Sequence, residues 1–141
     1  MFDYYRLPHD FPGYNSCTDS DPYQRMGCLE SEFSNDFNDR RFIPYIQMHE
    51  FEALLLSSPE ELSSWYIEET EAIDQLKENI SAFDNPEMID RDNPPSKRIL
   101  KKLPSYKKVV SGPIIAGYIG MERLMVSCRH FREWIQKLES C

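Results

Sequence analysis

Residues 40–56 carry the sequence RRFIPYIQMHEFEALLL, whose character changes halfway along its length. The first part, residues 42–47, is rich in aromatic and β-branched side chains and has little charge, which predicts a mostly buried strand. The second part, residues 50–56, has apolar side chains at helical spacing, which predicts a helix. We expect three side chains of this helix to be buried: Phe51, Leu54 and Leu55.

The turn between the predicted strand and helix carries His49, Glu50 and Glu52. Ligands of open α/β sheets bind beyond the carboxyl ends of the strands, so this turn is where an ionic site is expected. Pro44 cannot donate a hydrogen bond to a sheet, which indicates an edge strand, a strand start or a bulge. The stretch as a whole therefore predicts an α/β fold with a functional strand end.

The composition indicates one domain with an uneven charge. The chain has 141 residues, of which 40% are hydrophobic, and this is enough for a core. Its net charge of −8 divides unequally, because residues 1–92 contain six Lys and Arg against 21 Asp and Glu, whereas residues 93–141 contain ten against three. The acidic and basic parts are either solvated faces that attract each other or a metal-binding region beside a surface for phosphates.

The cysteines and the lengths of the apolar runs indicate where in the cell the protein is located. No apolar run approaches the roughly 18–20 residues of a membrane span, and the N-terminus lacks the basic and apolar regions of a signal peptide. The four cysteines show no CxxC pairing, and their spacings do not resemble a zinc site: Cys17, Cys28, Cys128 and Cys141. We therefore predict a cytoplasmic protein with free thiols and no membrane segment.

Most of the remaining chain is predicted to be helical. Asp21 and Pro22 predict the cap and first residue of a short helix that reaches residue 32, inside a long loop that ends near residue 39. A further helix start is predicted where Ser58 precedes Pro59. Four more helices are expected, with Ser96 as the cap of the second: residues 68–83, 96–103, 114–119 and 121–138.

Several motifs, taken in order, resemble a bacterial family of Toprim-like domains of unknown function. They are DYYxLPxDFPG at residues 3–13, FIPYIQxHEFEALL at 42–55, NPE at 85–87, PSKR at 95–98 and GPIIA at 112–116. The family is akin to the nuclease half of the overcoming-lysogenization-defect proteins and is often encoded beside ATPases. The resemblance covers nearly the whole chain and implies a Toprim-like α/β fold, with a small parallel sheet and a helical C-terminal half.

Family members carry a further N-terminal strand followed by a glutamate, and we expect this chain to lack that segment. Residues 1–5 then form the end of a later strand. A sheet without its first strand leaves an edge or an apolar face uncovered, which favours self-association.

The resemblance also implies a Mg²⁺ site, because a Toprim-type nuclease holds this ion with clustered carboxylates. Asp3 ends its predicted strand and is the first candidate ligand, and Glu50 and Glu52 are the others. The alternative for the two glutamates is that they are first-turn acids favoured by the helix dipole. His49 is a candidate for orienting a phosphate or for acid–base catalysis, and alternatively hydrogen-bonds to the backbone.

A basic cluster in the C-terminal part is the candidate nucleic-acid surface. Lys97, Arg98, Lys101 and Lys102 either follow a phosphate backbone or form the solvated face of an ordinary helix. The predicted function is a Mg²⁺-dependent nuclease subunit that acts on DNA with an ATPase partner, in phage defence or DNA processing. The alternative is an inactive fragment or a protein-interaction subunit without enzymatic activity.

Overall fold

A computed structural model describes residues 1–89 and 91–141, and its fold is mixed α/β, mostly helical, with a small parallel sheet. The chain divides into two compact units. We name them the sheet unit, Met1–Met48 with His130–Cys141, and the helical unit, His49–Arg129. The change of charge at residue 92 falls inside the helical unit.

The sheet contains two short strands, β1 (Phe2–Asp3) and β2 (Ile46–Gln47). They run parallel, with Phe2 opposite Ile46 and Asp3 opposite Gln47, so both strands end at the same edge. The strand predicted over residues 42–47 is confirmed for its last two residues only, and Pro44 lies outside it. Residues 44–47 are buried as predicted.

Helix α1 (Pro22–Phe37) begins where the sequence predicts it. The Asp21 side chain accepts a hydrogen bond of 2.8 Å from the backbone N–H of Tyr23, which satisfies one of the free donors of the first turn. The predicted end at residue 32 is wrong, because α1 continues to Phe37, where Asn38 adopts a left-handed conformation (φ 48°). One hydrophobic cluster in the core of the sheet unit contains Leu7, Cys17, Met26, Leu29, Ile46 and Met48.

The prediction of four free thiols is wrong for one pair, because Cys17 and Cys28 form a disulfide with their Cα atoms 5.8 Å apart. A turn at Gly13, which has a φ of 78°, returns the chain so that Cys17 reaches α1. A Cβ atom at Gly13 would lie 2.9 Å from Glu32 Cγ, so the turn needs glycine. Spacing alone did not reveal this pairing, since it depends on that turn.

The helical unit contains five α-helices and two 3₁₀ segments within its described residues. The α-helices are α2 (Glu52–Leu55), α3 (Thr70–Ile80), α4 (Pro95–Lys102), α5 (Lys108–Ile119) and α6 (Met121–Ser127). The 3₁₀ segments are Pro59–Ser64 and Pro86–Met88. Tyr4–Arg6 in the sheet unit is also a 3₁₀ segment. Helix α7 spans Arg129–Glu139 and belongs to the sheet unit from His130 onwards.

The helix predicted over residues 50–56 forms, but it is short. Leu54 and Leu55 are buried as predicted, whereas Phe51 is only half-buried. Glu52 is also fully buried in α2, which was not predicted. The apolar stripe therefore identified the buried side of α2 but not the carboxylate that shares it.

Helix α3 spans residues 70–80 where the sequence predicts 68–83, and three further helices differ from their predictions. Helix α5 begins at Lys108 and contains Pro113 in its interior. Pro113 has no N–H to donate to the carbonyl of Val109, four residues before it, and both Pro113 and Val109 are exposed. The long C-terminal helix is broken at Cys128, whose backbone is extended (φ −116°, ψ 98°). The third is α4, where Ser96 lies inside the first turn and is not the cap.

No single helix in the described parts of the chain has both the length and the apolar character needed to cross a membrane. Helices α5 and α6 meet those criteria only as a pair, and they are bent by 87° at their junction.

Candidate functional site

Asp3 and the other predicted metal ligands belong to different units. Asp3 is the last residue of β1, half-buried, at the sheet edge where β2 also ends. His49, Glu50 and Glu52 open the helical unit, a few residues after Gln47. The candidates differ in their contacts, and those of Glu50 and Glu52 differ greatly.

Glu50 binds the N-terminus of α4. Its Oε2 accepts a hydrogen bond of 2.9 Å from the backbone N–H of Ser96, in the first turn of that helix. Such N–H groups have no partner within their own helix, and the helix dipole favours a negative charge beside them. Glu50 is thus an acid at a helix N-terminus, but the helix is α4, 46 residues away in the chain, and not α2. It stays half-buried, as does His49.

Glu52 is fully buried, and the positive charge of Lys108 lies beside its carboxylate. The ammonium group of Lys108 lies 3.0 Å from Glu52 Oε2 as an ion pair, and the Tyr106 hydroxyl donates a 3.4 Å hydrogen bond to Oε1. Burial, and next the negative charge of Glu52, raise the pKa of Tyr106 far above its usual value. A buried carboxylate needs such partners to remain ionised. This cluster therefore ties α2 to the start of α5.

The structure separates the four basic residues of α4. Lys97 and Lys101 are exposed. Lys102 is partly exposed, and its ammonium donates a 2.8 Å hydrogen bond to Gln75 on α3. Arg98 is only 7% exposed. Contact between a phosphate backbone and these four basic residues, Arg98 included, stays a prediction.

Arg98 has partners inside the helical unit. Its Nε donates to the carbonyl of Asn93 at 2.7 Å, and Nη1 donates to Asn79 Oδ1 at 2.5 Å. The guanidinium also lies over the ring of Phe83, 4.9 Å from its centre. These contacts join α3, α4 and the segment before α4, so Arg98 has a structural role.

Acidic residues of α3 and the residues before it face basic residues of α4 across a shallow cavity of about 370 Å³. Its lining includes Glu68, Glu69, Glu71, Gln75, Lys101 and Lys102. Acidic and basic side chains of the helical unit therefore lie on opposite sides of this cavity.

A buried acid–histidine pair in the sheet unit was missed by the sequence reasoning. Glu30 on α1 and His130 on α7 each have side chains that are 5% exposed, and His130 Nε2 lies 2.9 Å from Glu30 Oε1. The same oxygen accepts a 2.8 Å hydrogen bond from the backbone N–H of Ile46 in β2. One signal was present, because Glu30 lies on the apolar face of α1, four residues after Met26.

Aromatic rings cover this pair. The ring of Tyr45 stacks on His130 with 5.2 Å between centres and on Trp134 with 4.9 Å. The Tyr45 hydroxyl donates to Gln47 Oε1, and the Trp134 indole N–H donates to the carbonyl of Ile43. The polar groups around Glu30 are therefore held by short, specific contacts between α7 and the segment that leads into β2.

Glu30 also lines a cavity with a volume of about 450 Å³. We name it the α1–α7 cavity. Its lining residues are Gly27, Glu30, Ser31, Ser34, Asn35, Arg40, Phe42, Ile43, Pro44, Lys137, Ser140 and Cys141. Every one of these residues belongs to the sheet unit.

Among residues 1–89 and 91–141, no three or more His, Cys, Asp or Glu side chains are grouped so that they could hold a metal ion.

Comparison with known proteins gives one match. No curated protein and no solved structure is detectably similar to this chain. A family model matches residues 1–139, which is nearly the whole length. The chain belongs to the family described as a domain of unknown function, DUF4276.

Proposed function

We propose that this chain is a Mg²⁺-dependent nuclease subunit of Toprim-like kind, which acts on DNA in the cytoplasm together with an ATPase partner, in phage defence or DNA processing. The observation that carries the proposal is the parallel pairing of β1 and β2, in which Asp3 ends one strand opposite the last residue of the other. The carboxyl edge of parallel strands is where α/β proteins bind ligands. In the sequence, His49 and Glu50 follow two and three residues after Gln47, the last residue of β2.

Asp3 and Glu50 are the proposed metal ligands. Both are half-buried carboxylates, and oxygen ligands are those that Mg²⁺ takes in proteins. Glu52 fits the role less well, because Lys108 already supplies a positive charge 3.0 Å from it. The bound ion would polarise a phosphodiester and lower the pKa of an attacking water.

The chain's own side chains would then position the DNA. We assign to His49 the orientation of a phosphate next to Glu50. Lys97 and Lys101 are exposed on α4, whose first turn Glu50 contacts, and they would pair with the phosphate backbone. Arg98 would act indirectly, by holding α4 on α3 through Asn79.

Metal binding tests this proposal most simply. Titration with Mn²⁺, followed by electron paramagnetic resonance, should reveal a site that Mg²⁺ displaces. Asp3→Asn and Glu50→Gln should each weaken it, whereas Glu78→Gln, an exposed glutamate on α3, should not. Equal Mn²⁺ affinity in all four proteins would contradict the assignment of Asp3 and Glu50.

A second candidate function is a protein-interaction subunit without activity. It is favoured by exposed apolar side chains on α5 and α6: Val109 is 87% exposed, Tyr118 52%, Met121 53% and Val126 74%. Exposed apolar groups on neighbouring helices are typical of interaction surfaces. If this candidate is correct, Val109→Lys with Val126→Lys should abolish self-association or partner binding, while the Mn²⁺ titration detects no site.

A further inference from the structure

The α1–α7 cavity has the size of a small-molecule site. Its volume of about 450 Å³ lies within the range of roughly 300–1,000 Å³ found for ligand pockets. One wall is α1, another is the C-terminal end of α7, and the third is the segment from Arg40 to Pro44. All three belong to the sheet unit, so the cavity does not depend on any residue of the helical unit.

The charges around this cavity differ from those of the unit that contains it. The sheet unit has ten Asp and Glu against six Lys and Arg. The side chains that line the cavity have the reverse balance, with the positive charges of Arg40 and Lys137 against one acidic side chain, Glu30. The hydroxyl of Ser31 and the amide of Asn35 add hydrogen-bond donors to the lining, whereas the hydroxyls of Ser34 and Ser140 donate to the backbone carbonyls of Phe42 and Lys137. Two positive charges with additional donors suit an oxyanion.

Glu30 indicates that the ligand carries a hydrogen-bond donor as well as a negative charge. Its Oε1 already accepts hydrogen bonds from Ile46 and His130. Its Oε2 is buried and accepts none from the described residues, and the ammonium of Lys137 lies 3.9 Å away, which is beyond hydrogen-bond reach. A buried carboxylate oxygen without a donor is costly. A ligand with a hydroxyl or amino group would satisfy it.

The remaining lining is apolar and includes an aromatic ring. Phe42, Ile43 and Pro44 form this side of the cavity. The ring of Phe42 is fixed by stacking on Phe37, with 4.3 Å between ring centres and 25° between planes. A ring held in this way offers a flat surface to a planar group.

We propose that the α1–α7 cavity binds a nucleoside monophosphate group, with its phosphate at Arg40 and Lys137 and a sugar hydroxyl or base amino group at Glu30 Oε2. The group is either a free nucleotide or the 5′-phosphorylated end of a nucleic-acid strand, since both present the same chemistry. The inference does not rest on the proposed nuclease function, because it uses no residue of the metal site.

Isothermal titration of the whole chain without divalent ions tests this proposal. The probes are the four common nucleoside monophosphates, ribose 5-phosphate, adenosine, inorganic phosphate and a 5′-phosphorylated dinucleotide. At least one nucleoside monophosphate should bind more tightly than either adenosine or inorganic phosphate. Tighter binding of the dinucleotide than of any mononucleotide would identify the strand end as the source.

Two neighbouring arginines provide a matched pair of variants. Arg40→Gln should weaken binding about tenfold or more, because it removes a charged partner of the phosphate. Arg41→Gln is the control, since Arg41 does not line the cavity and its guanidinium is paired with Asp39 at 2.7 Å. It should leave the affinity within about twofold. Lys137→Gln should act like Arg40→Gln.

Glu30→Gln tests the requirement for a hydrogen-bond donor, with a thermal melt to establish that the variant folds. It should weaken the binding of nucleotides but should not weaken that of inorganic phosphate, because the phosphate is placed at Arg40 and Lys137. The proposal is overturned if no nucleoside monophosphate binds at millimolar concentration, or if Arg40→Gln and Arg41→Gln weaken binding equally. The second result would mean a general attraction to surface charge.

Discussion

Glu30 Oε1 and His130 Nε2 lie 2.9 Å apart in the interior of the sheet unit, although 100 residues separate them in the chain. The same oxygen accepts from the N–H of Ile46, so one carboxylate joins α1, β2 and α7. Breaking a buried pair leaves a polar group without its partner, which costs much more than losing a surface pair.

Glu30→Ala should therefore lower the free energy of unfolding by about 3 kcal/mol. It removes the contact of Glu30 with His130 and the acceptor of the buried Ile46 N–H. Urea unfolding followed by circular dichroism measures the change. Glu32→Ala is the matched control on the exposed side of α1 and should change stability by less than about 0.5 kcal/mol. Similar values for both variants would mean that the buried pair contributes little.

The cysteines should react in a fixed order. Without reductant, Cys141 is exposed and should react with a thiol reagent in the folded protein. Cys128 should react only after unfolding, because burial, and next the charge of Glu87, raise its pKa and disfavour the reactive thiolate. Two more thiols should appear after reduction, from Cys17 and Cys28.

Mass spectrometry after alkylation counts these thiols. Four thiols in unreduced protein would contradict the disulfide. Disulfides are rare in the cytosol, so the same count on protein isolated from its native host, with thiols trapped at lysis, tests the proposed cytoplasmic location.

Tyr106 should make stability fall at high pH. Its pKa is raised in the folded protein, so above the ordinary value of about 10 the unfolded chain loses a proton that the folded chain keeps. The stabilisation is complete below that value and is lost as the pH rises towards the folded pKa. Urea unfolding between pH 8 and pH 11 measures it. Tyr106→Phe should flatten the alkaline decline, and an unchanged slope would mean that other groups cause it.

The basic cluster of α4 should separate into structural and surface residues. Arg98→Ala should lower stability by about 2 kcal/mol or more, because it removes charged hydrogen bonds to Asn79 and to the carbonyl of Asn93. Lys97→Ala should leave stability unchanged within about 0.5 kcal/mol and reduce any affinity for DNA. Thermal melts and DNA titrations at fixed salt distinguish the two. Equal stability loss in both variants would contradict this division.

Local signals predicted some of the local structure. The cap at Asp21, the apolar stripe of α2 and the buried residues before β2 all follow from neighbouring residues. The interior position of Pro113 was not predicted, because a proline normally ends or kinks a helix, whereas here it lies on an exposed part of α5. Exposure at that position depends on packing and not on local sequence.

The candidate site was predicted only in part, because its polar contacts join distant segments. Nothing near Glu50 in the sequence indicates Ser96, and nothing near Glu52 indicates Lys108 or Tyr106. The same holds for the disulfide. A periodic pattern shows which face is buried, but it does not show which buried acid has found a partner.

Cleavage of supercoiled plasmid DNA in the presence of Mg²⁺ tests the proposed function most directly, with and without any ATPase encoded beside the gene. We expect the wild-type chain and Glu78→Gln to nick the plasmid in at least one of these conditions, and EDTA to stop the reaction. Asp3→Asn and Glu50→Gln should abolish nicking while melting at the wild-type temperature within a few degrees. Cleavage that persists in both variants, or no cleavage by the wild-type chain in either condition, would contradict the nuclease proposal.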